Sequence, residues 1–158
     1  MRIEMSAAGR VGIGATPSDY WGTANGLVVR EGDNSTGITI ATSTSNTGQI
    51  YFADGTSGDA RYRGWITYAH GTDTMSLATA ASTKVTILSG GNVGIGTTSP
   101  DGNLHVHSGT AGSVTASGDK DELVVESAGH GGISTLTPDA SESGMFFGHV
   151  SDNRAGEI

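Results

Sequence analysis

Along this chain, apolar residues come in short, alternating, often β-branched runs separated by Gly, Asn, Asp, Ser and Thr. Alternation with a period of two marks strands, and the separating residues are those that supply turns. The pattern predicts strands at residues 11–13, 27–29, 37–41, 49–52, 65–68, 74–77, 84–88, 93–95, 104–107, 123–126, 133–136 and 145–147. Helical periodicity is almost absent. The best helical stretch, Asp119-Lys120-Asp121-Glu122, runs directly into Leu123-Val124-Val125, which reads as a strand. Many short strands with turn signals between them predict an all-β protein.

The pattern also repeats. Gly9-Arg10-Val11-Gly12-Ile13-Gly14-Ala15-Thr16 returns as Gly91-Asn92-Val93-Gly94-Ile95-Gly96-Thr97-Thr98, offset by 82 residues. Leu27-Val28-Val29 pairs with Leu123-Val124-Val125, Gly48-Gln49-Ile50-Tyr51-Phe52 with Gly144-Met145-Phe146-Phe147, and Gly64-Trp65-Ile66 with Gly156-Glu157-Ile158. The order is kept, with an insertion near residues 103–121. The repeat divides the chain into four stretches. Residues 1–16 end one module and carry the first Gly-rich segment, and 17–90 form a β module. Residues 91–107 carry the second Gly-rich segment, and 108–158 form a truncated second module. One module plus part of the next is expected to be cut from something longer.

Composition says how such a chain folds. Only 35% of its residues are apolar and 6% aromatic, and 26 of 158 are Gly. Backbone ordering costs roughly 1–2 kcal/mol per residue, and Gly loses the most freedom. A chain so poor in large side chains is expected to bury its apolar surface against copies of itself. Disorder fits less well, because charged residues are only 15% and the apolar runs are regular. The net charge of −8 opposes binding to nucleic acid or to an anionic membrane surface. The chain has no Cys, which removes disulfides and thiolate chemistry. No apolar run is long enough for a membrane-spanning helix. Met1-Arg2-Ile3-Glu4 is followed by small and polar residues, so no signal peptide is expected.

In a strand, Val93 and Ile95 share one face and Gly94 and Gly96 the other; Val11, Ile13, Gly12 and Gly14 do the same in the first copy. One face is apolar and the other is bare backbone, as needed where another chain passes closely. Leu104 and Val106 join the apolar set. The stretch Gly91-Asn92-Val93-Gly94-Ile95-Gly96-Thr97-Thr98-Ser99-Pro100 resembles segments that recur along the shafts of bacteriophage tail-fibre and tail-spike proteins. The module from Ile50-Tyr51-Phe52 through Arg61-Tyr62-Arg63-Gly64-Trp65 to Asp73-Thr74-Met75-Ser76-Leu77 is similar to those between such segments. In that family the Gly-rich segment often precedes a C-terminal intramolecular chaperone, which this sequence does not show after residue 100.

The resemblance implies small antiparallel β modules linked by interwoven Gly-rich strands in a homotrimeric fibre. Val11, Ile13, Val93, Ile95, Leu104 and Val106 would form the trimer core, with close backbone approach at Gly12, Gly14, Gly94 and Gly96. The implied function is a structural shaft and adhesion segment of a virion tail fibre, assembled in the host bacterial cytoplasm. Its partners would be two further copies, other tail proteins and a host surface glycan. A polysaccharide-degrading spike fragment and a bacterial surface adhesin are the alternatives.

Other chemistry is sparse. Gly94-Ile95-Gly96 lacks the third Gly and the helix of a dinucleotide fingerprint. His105 and His107 share a strand face and are the only metal candidates. With Leu104 and Val106 turned inward they are expected to face solvent, and no metal or other cofactor is expected. Asp54, Asp59, Asp73, Asp119, Asp121 and Glu122 sit among turn residues, where such side chains bond their own backbone, so no catalysis is expected. Tyr20 and Trp21, in a loop-like stretch after Pro17-Ser18-Asp19, are the first choice for glycan contact; Arg61 and Arg63, flanking Tyr62, are the second.

Overall fold

A computed structural model of the chain describes residues 3–6, 9–16, 26–30, 36–141, 144, 146–149 and 152–157. Every regular element among them is a strand except one five-residue 3-10 helix, Gly58–Tyr62. The all-β reading holds. The chain divides into two compact units, Met1–Thr42 and Ser43–Ile158.

The first unit holds a three-stranded sheet of β1 (Ile3–Met5), β2 (Val11–Ile13) and β3 (Leu27–Val29). β1 runs antiparallel to β2, and β3 runs parallel to it, with Val11 opposite Leu27 and Ile13 opposite Val29.

The second unit is dominated by a seven-stranded sheet. Its strands are β4 (Thr47–Phe52), β5 (Gly64–Ala69), β6 (Thr74–Thr79), β7 (Ser82–Ile87), β8 (Val93–Ile95), β9 (Leu104–His107) and β10 (Leu123–Glu126), lying side by side in chain order. β4 to β8 form an antiparallel meander. From β8 onward the direction is kept: β9 and β10 are parallel to their predecessors. The expected antiparallel module is seen in β4 to β7; the parallel pairs lie at the Gly-rich strands β2 and β8, each followed by a parallel neighbour, and at β9–β10. β11 (Phe146–His149) and β12 (Asp152–Glu157) form a separate antiparallel hairpin. Within it Gly156 lies opposite Phe147.

The structure shows where the repeat lies. Ser6, Gly9 and Arg10 close a turn through the same two backbone bonds as Leu88, Gly91 and Asn92. The N–H of Val11 donates to Gly26 and that of Val93 to Asn103. β3 therefore corresponds to β9, not to β10 as the Leu-Val-Val likeness suggested. Gly14 and Gly96 take left-handed φ of 72° and 81°. A Cβ on either would run into a carbonyl of the same chain, that of Arg30 or of His107. These glycines let the next strand return alongside.

Two predicted strands do not form. None of residues 37–41 or 133–136 belongs to a strand; Ile38, Ile133 and Leu136 are 70%, 57% and 90% exposed. No helix forms at 119–122, where the chain turns into β10.

Candidate functional site

Residues directly opposite one another across a ladder share a face of the sheet. Following the register from β4 to β10 gives one row of Ile50, Ile66, Leu77, Val85, Ile95, Val106 and Val125. The row beside it runs Gly48, Tyr68, Met75, Ile87, Val93, Leu104 and Leu123. Thirteen of these fourteen positions are large and apolar or aromatic. The matching row on the other face is Gln49, Thr67, Ser76, Thr86, Gly94, His105 and Val124. A stand-alone sheet buries its apolar face. Here the polar face is covered at β7 to β9, where Thr86 and His105 are each 2% exposed, and open at β4, where Gln49 and Tyr51 are exposed. The apolar face is open, with Ile50, Ile66, Leu77, Ile95 and Val125 all 39–46% exposed.

This face gathers Val93, Ile95, Leu104 and Val106. In the first unit Val11 and Ile13 lie on the matching face, in register with Ile3, Met5, Leu27 and Val29. Ile3, Met5 and Leu27 are 57–75% exposed. Gly12 and Gly94 are buried on the opposite faces. A Cβ at Gly94 would collide with the Thr97 carbonyl. Among the described residues the buried apolar side chains are Ala15, Val28 and Ala78. So small a set leaves the apolar rows as the main store of hydrophobic free energy, at roughly 1.5–3 kcal/mol per large side chain removed from water.

His105 and His107 do share a face, and they converge on Glu126. His105 Nε2 lies 3.1 Å and His107 Nε2 3.7 Å from Glu126 Oε2. The rings meet edge to face at 5.7 Å. The expectation that both face solvent is corrected for His105: it is buried, whereas Leu104 is 36% exposed. The reason is local. The connector after β8 folds over this face, and the Asp101 N–H donates to His105 Nδ1 at 3.2 Å. That bond leaves the ring proton on Nε2, facing Glu126, though off the line of a hydrogen bond. The Ala111 N–H donates to Glu126 Oε1 at 2.7 Å. This bond, then the nearby His107 and His105, hold the Glu126 carboxyl below its ordinary range against the opposing effect of burial.

Asp101, His105 and Glu126 present possible ligand atoms within 4.8 Å of one another. A metal on His105 Nε2 needs a lone pair there, and hence a proton on Nδ1. The Asp101 N–H aimed at Nδ1 opposes that tautomer. The arrangement is better suited to tying strands together. Glu126 and Asp101 were not singled out as partners of the His pair. The signal was the shared Leu-x-Val of Leu104-His105-Val106 and Leu123-Val124-Val125, which aligns His107 with Glu126 once the strands are paired.

Tyr20 and Trp21 lie outside the described residues. Arg61 lies in the last turn of the 3-10 helix and Arg63 follows its end, next to β5, which carries Trp65. Tyr62 and Tyr51 stand 6.2 and 6.4 Å from the Trp65 ring. The neighbouring acids are engaged: Asp54 faces Arg63 at 3.7 Å, and Asp59 accepts the Tyr62 hydroxyl at 3.2 Å.

No protein-family model matches the chain, and no curated protein matches it.

Proposed function

We propose that this chain is a structural and adhesive segment of a fibre, built by self-association as a homotrimer and serving as the shaft of a virion tail fibre that supports attachment to a bacterial host. The observation that carries the reading is the apolar face spanning all seven strands of the main sheet and left open in the single chain. Soluble monomers rarely leave contiguous apolar patches beyond a few hundred Å² in water, and larger ones mark interfaces. The Gly-Val-Gly-Ile-Gly segments and their resemblance to tail-fibre shafts supply the virion part of the reading. The Arg61, Arg63, Tyr62, Trp65 and Tyr51 surface is the proposed place of host glycan contact, since aromatic faces and Arg forks suit sugar rings and their substituents. No catalytic role is proposed, because Asp54 and Asp59 are already engaged with Arg63 and Tyr62.

Light scattering after size exclusion tests the reading. Three times the 15.9 kDa chain mass is expected. Ile95→Asp, which places a charge in the middle of the longer apolar row, is expected to abolish assembly. A compact, cooperative monomer, or an intact trimer of the Ile95→Asp variant, overturns it.

A further inference from the structure

β10 is a terminal strand of the seven-stranded sheet, paired on one side only. Its bonded side faces β9: Leu104 and Ser108 donate to the carbonyls of Glu122 and Glu126. In a parallel ladder the groups of the intervening residues, Leu123 and Val125, then point outward. A groove of about 350 Å³ adjoins β10, lined by Val124, Val125 and Glu126 together with Val114 and Ala116. An open edge beside a groove is where an extended segment adds as a further strand.

The chain also holds a segment that reads as a strand and pairs with nothing in the sheets. Gly37-Ile38-Thr39-Ile40-Ala41 alternates strictly and is rich in β-branched residues, which favour strands. None of it belongs to a strand, and Ile38 and Ile40 are 70% and 43% exposed.

We propose that residues 37–41 of one chain add to the free edge of β10 in a second copy, forming an eighth strand of its sheet. The proposal rests on the self-association reading. It names which segment crosses between chains, and the surface that receives it. Each strand from β5 to β10 gives the apolar face two residues spaced two apart, such as Tyr68 and Ile66 or Leu123 and Val125. Ile38 and Ile40 have this spacing and extend both rows by one strand, while Gly37, Thr39 and Ala41 offer small side chains to the other face. Charge agrees. The copies carry −8 each, and β10 is flanked by Asp121, Glu122 and Glu126, whereas residues 36–53 have no charged side chain. A copy presents this segment to an acidic edge without repulsion.

The absence of Cys makes the test free of background. Chains carrying Ile40→Cys are co-assembled with chains carrying Val125→Cys, then treated with a short bismaleimide. The mixture is expected to give a two-chain band several-fold stronger than either variant alone. In the unmodified assembled protein, hydrogen exchange of the alternate amides of residues 37–41 that face β10 is expected to slow well below that of an unstructured peptide. If the protein assembles but these amides exchange like an unstructured peptide, the proposal falls and self-association stands. If the double variant Ile40→Cys/Val125→Cys links only within one chain, the second copy is not the occupant and the proposal again falls. A monomer overturns both readings.

Discussion

Ala80 and Ala81 join β6 to β7 in the tightest hairpin of the sheet, with Thr79 opposite Ser82 and φ of 51° and 55°. Two successive positive φ values belong to the turn whose twist suits a two-residue hairpin, and the residues that fit it are Asn and Gly. Alanine has a Cβ that crowds the carbonyl in this region, at about 1–2 kcal/mol per residue. The Ala81 N–H also donates to the Arg63 carbonyl at 3.0 Å, a bond that Gly preserves. The double change Ala80→Asn/Ala81→Gly is therefore expected to stabilise the chain by about 1–2 kcal/mol, after the greater flexibility of Gly in the unfolded chain is set against the relieved strain. The melting temperature should rise by roughly 2–8 °C. An unchanged or lower melting temperature in a calorimetric scan would show that these φ values cost nothing.

Among elements, the least expected feature is the parallel run from β8 to β10. Parallel neighbours usually need a connection of a dozen or more residues. β8 and β9 are joined by only eight, at 96–103, and the left-handed turn at Gly96 makes so short a return workable. No alternation of apolar residues reports strand direction, so the parallel pairs were not legible in the sequence. Period two did report which residues share a face, and Val93, Ile95, Leu104 and Val106 stand together accordingly. It did not report which face is covered. Pairing β9 with β10 brings His105 and His107 to Glu126, and the connector buries His105; both facts depend on contacts between distant residues. The short strand β10 is tied down on its polar side by Glu126, which links the Ala111 N–H to the His pair. Its carboxyl is held below the ordinary value near 4.5, so the charged form is favoured in the folded chain. That stabilisation is complete above the unfolded carboxylate range and is lost as pH falls through the lower folded value. Glu126→Gln is thus expected to melt earlier than the unmodified chain at pH 7 and to approach it near pH 3. A gap between the two melting temperatures that stays constant from pH 7 to pH 3 would show that the carboxylate charge has no part in holding β10.

For the whole molecule, the balance of faces decides where stability resides. The chain itself covers the polar face only at β7 to β9, and much of the apolar rows stays in contact with water. On the proposed self-association, most of the hydrophobic free energy would appear only on assembly, and unfolding of one chain would be coupled to dissociation from the others. A trimer that melts directly to three unfolded chains has a concentration-dependent midpoint. Each tenfold rise in chain concentration adds two-thirds of 1.4 kcal/mol, or about 0.9 kcal/mol per chain. For a chain of 158 residues this moves the melting temperature up by roughly 2–4 °C. The measurement is a series of reversible melts over a hundredfold range of concentration, followed by far-ultraviolet circular dichroism. A midpoint that climbs with concentration places the folding free energy in the contacts between copies. A midpoint that stays fixed would mean that one chain stabilises its own sheet in water with both apolar rows uncovered, and the self-association reading would lose its energetic basis.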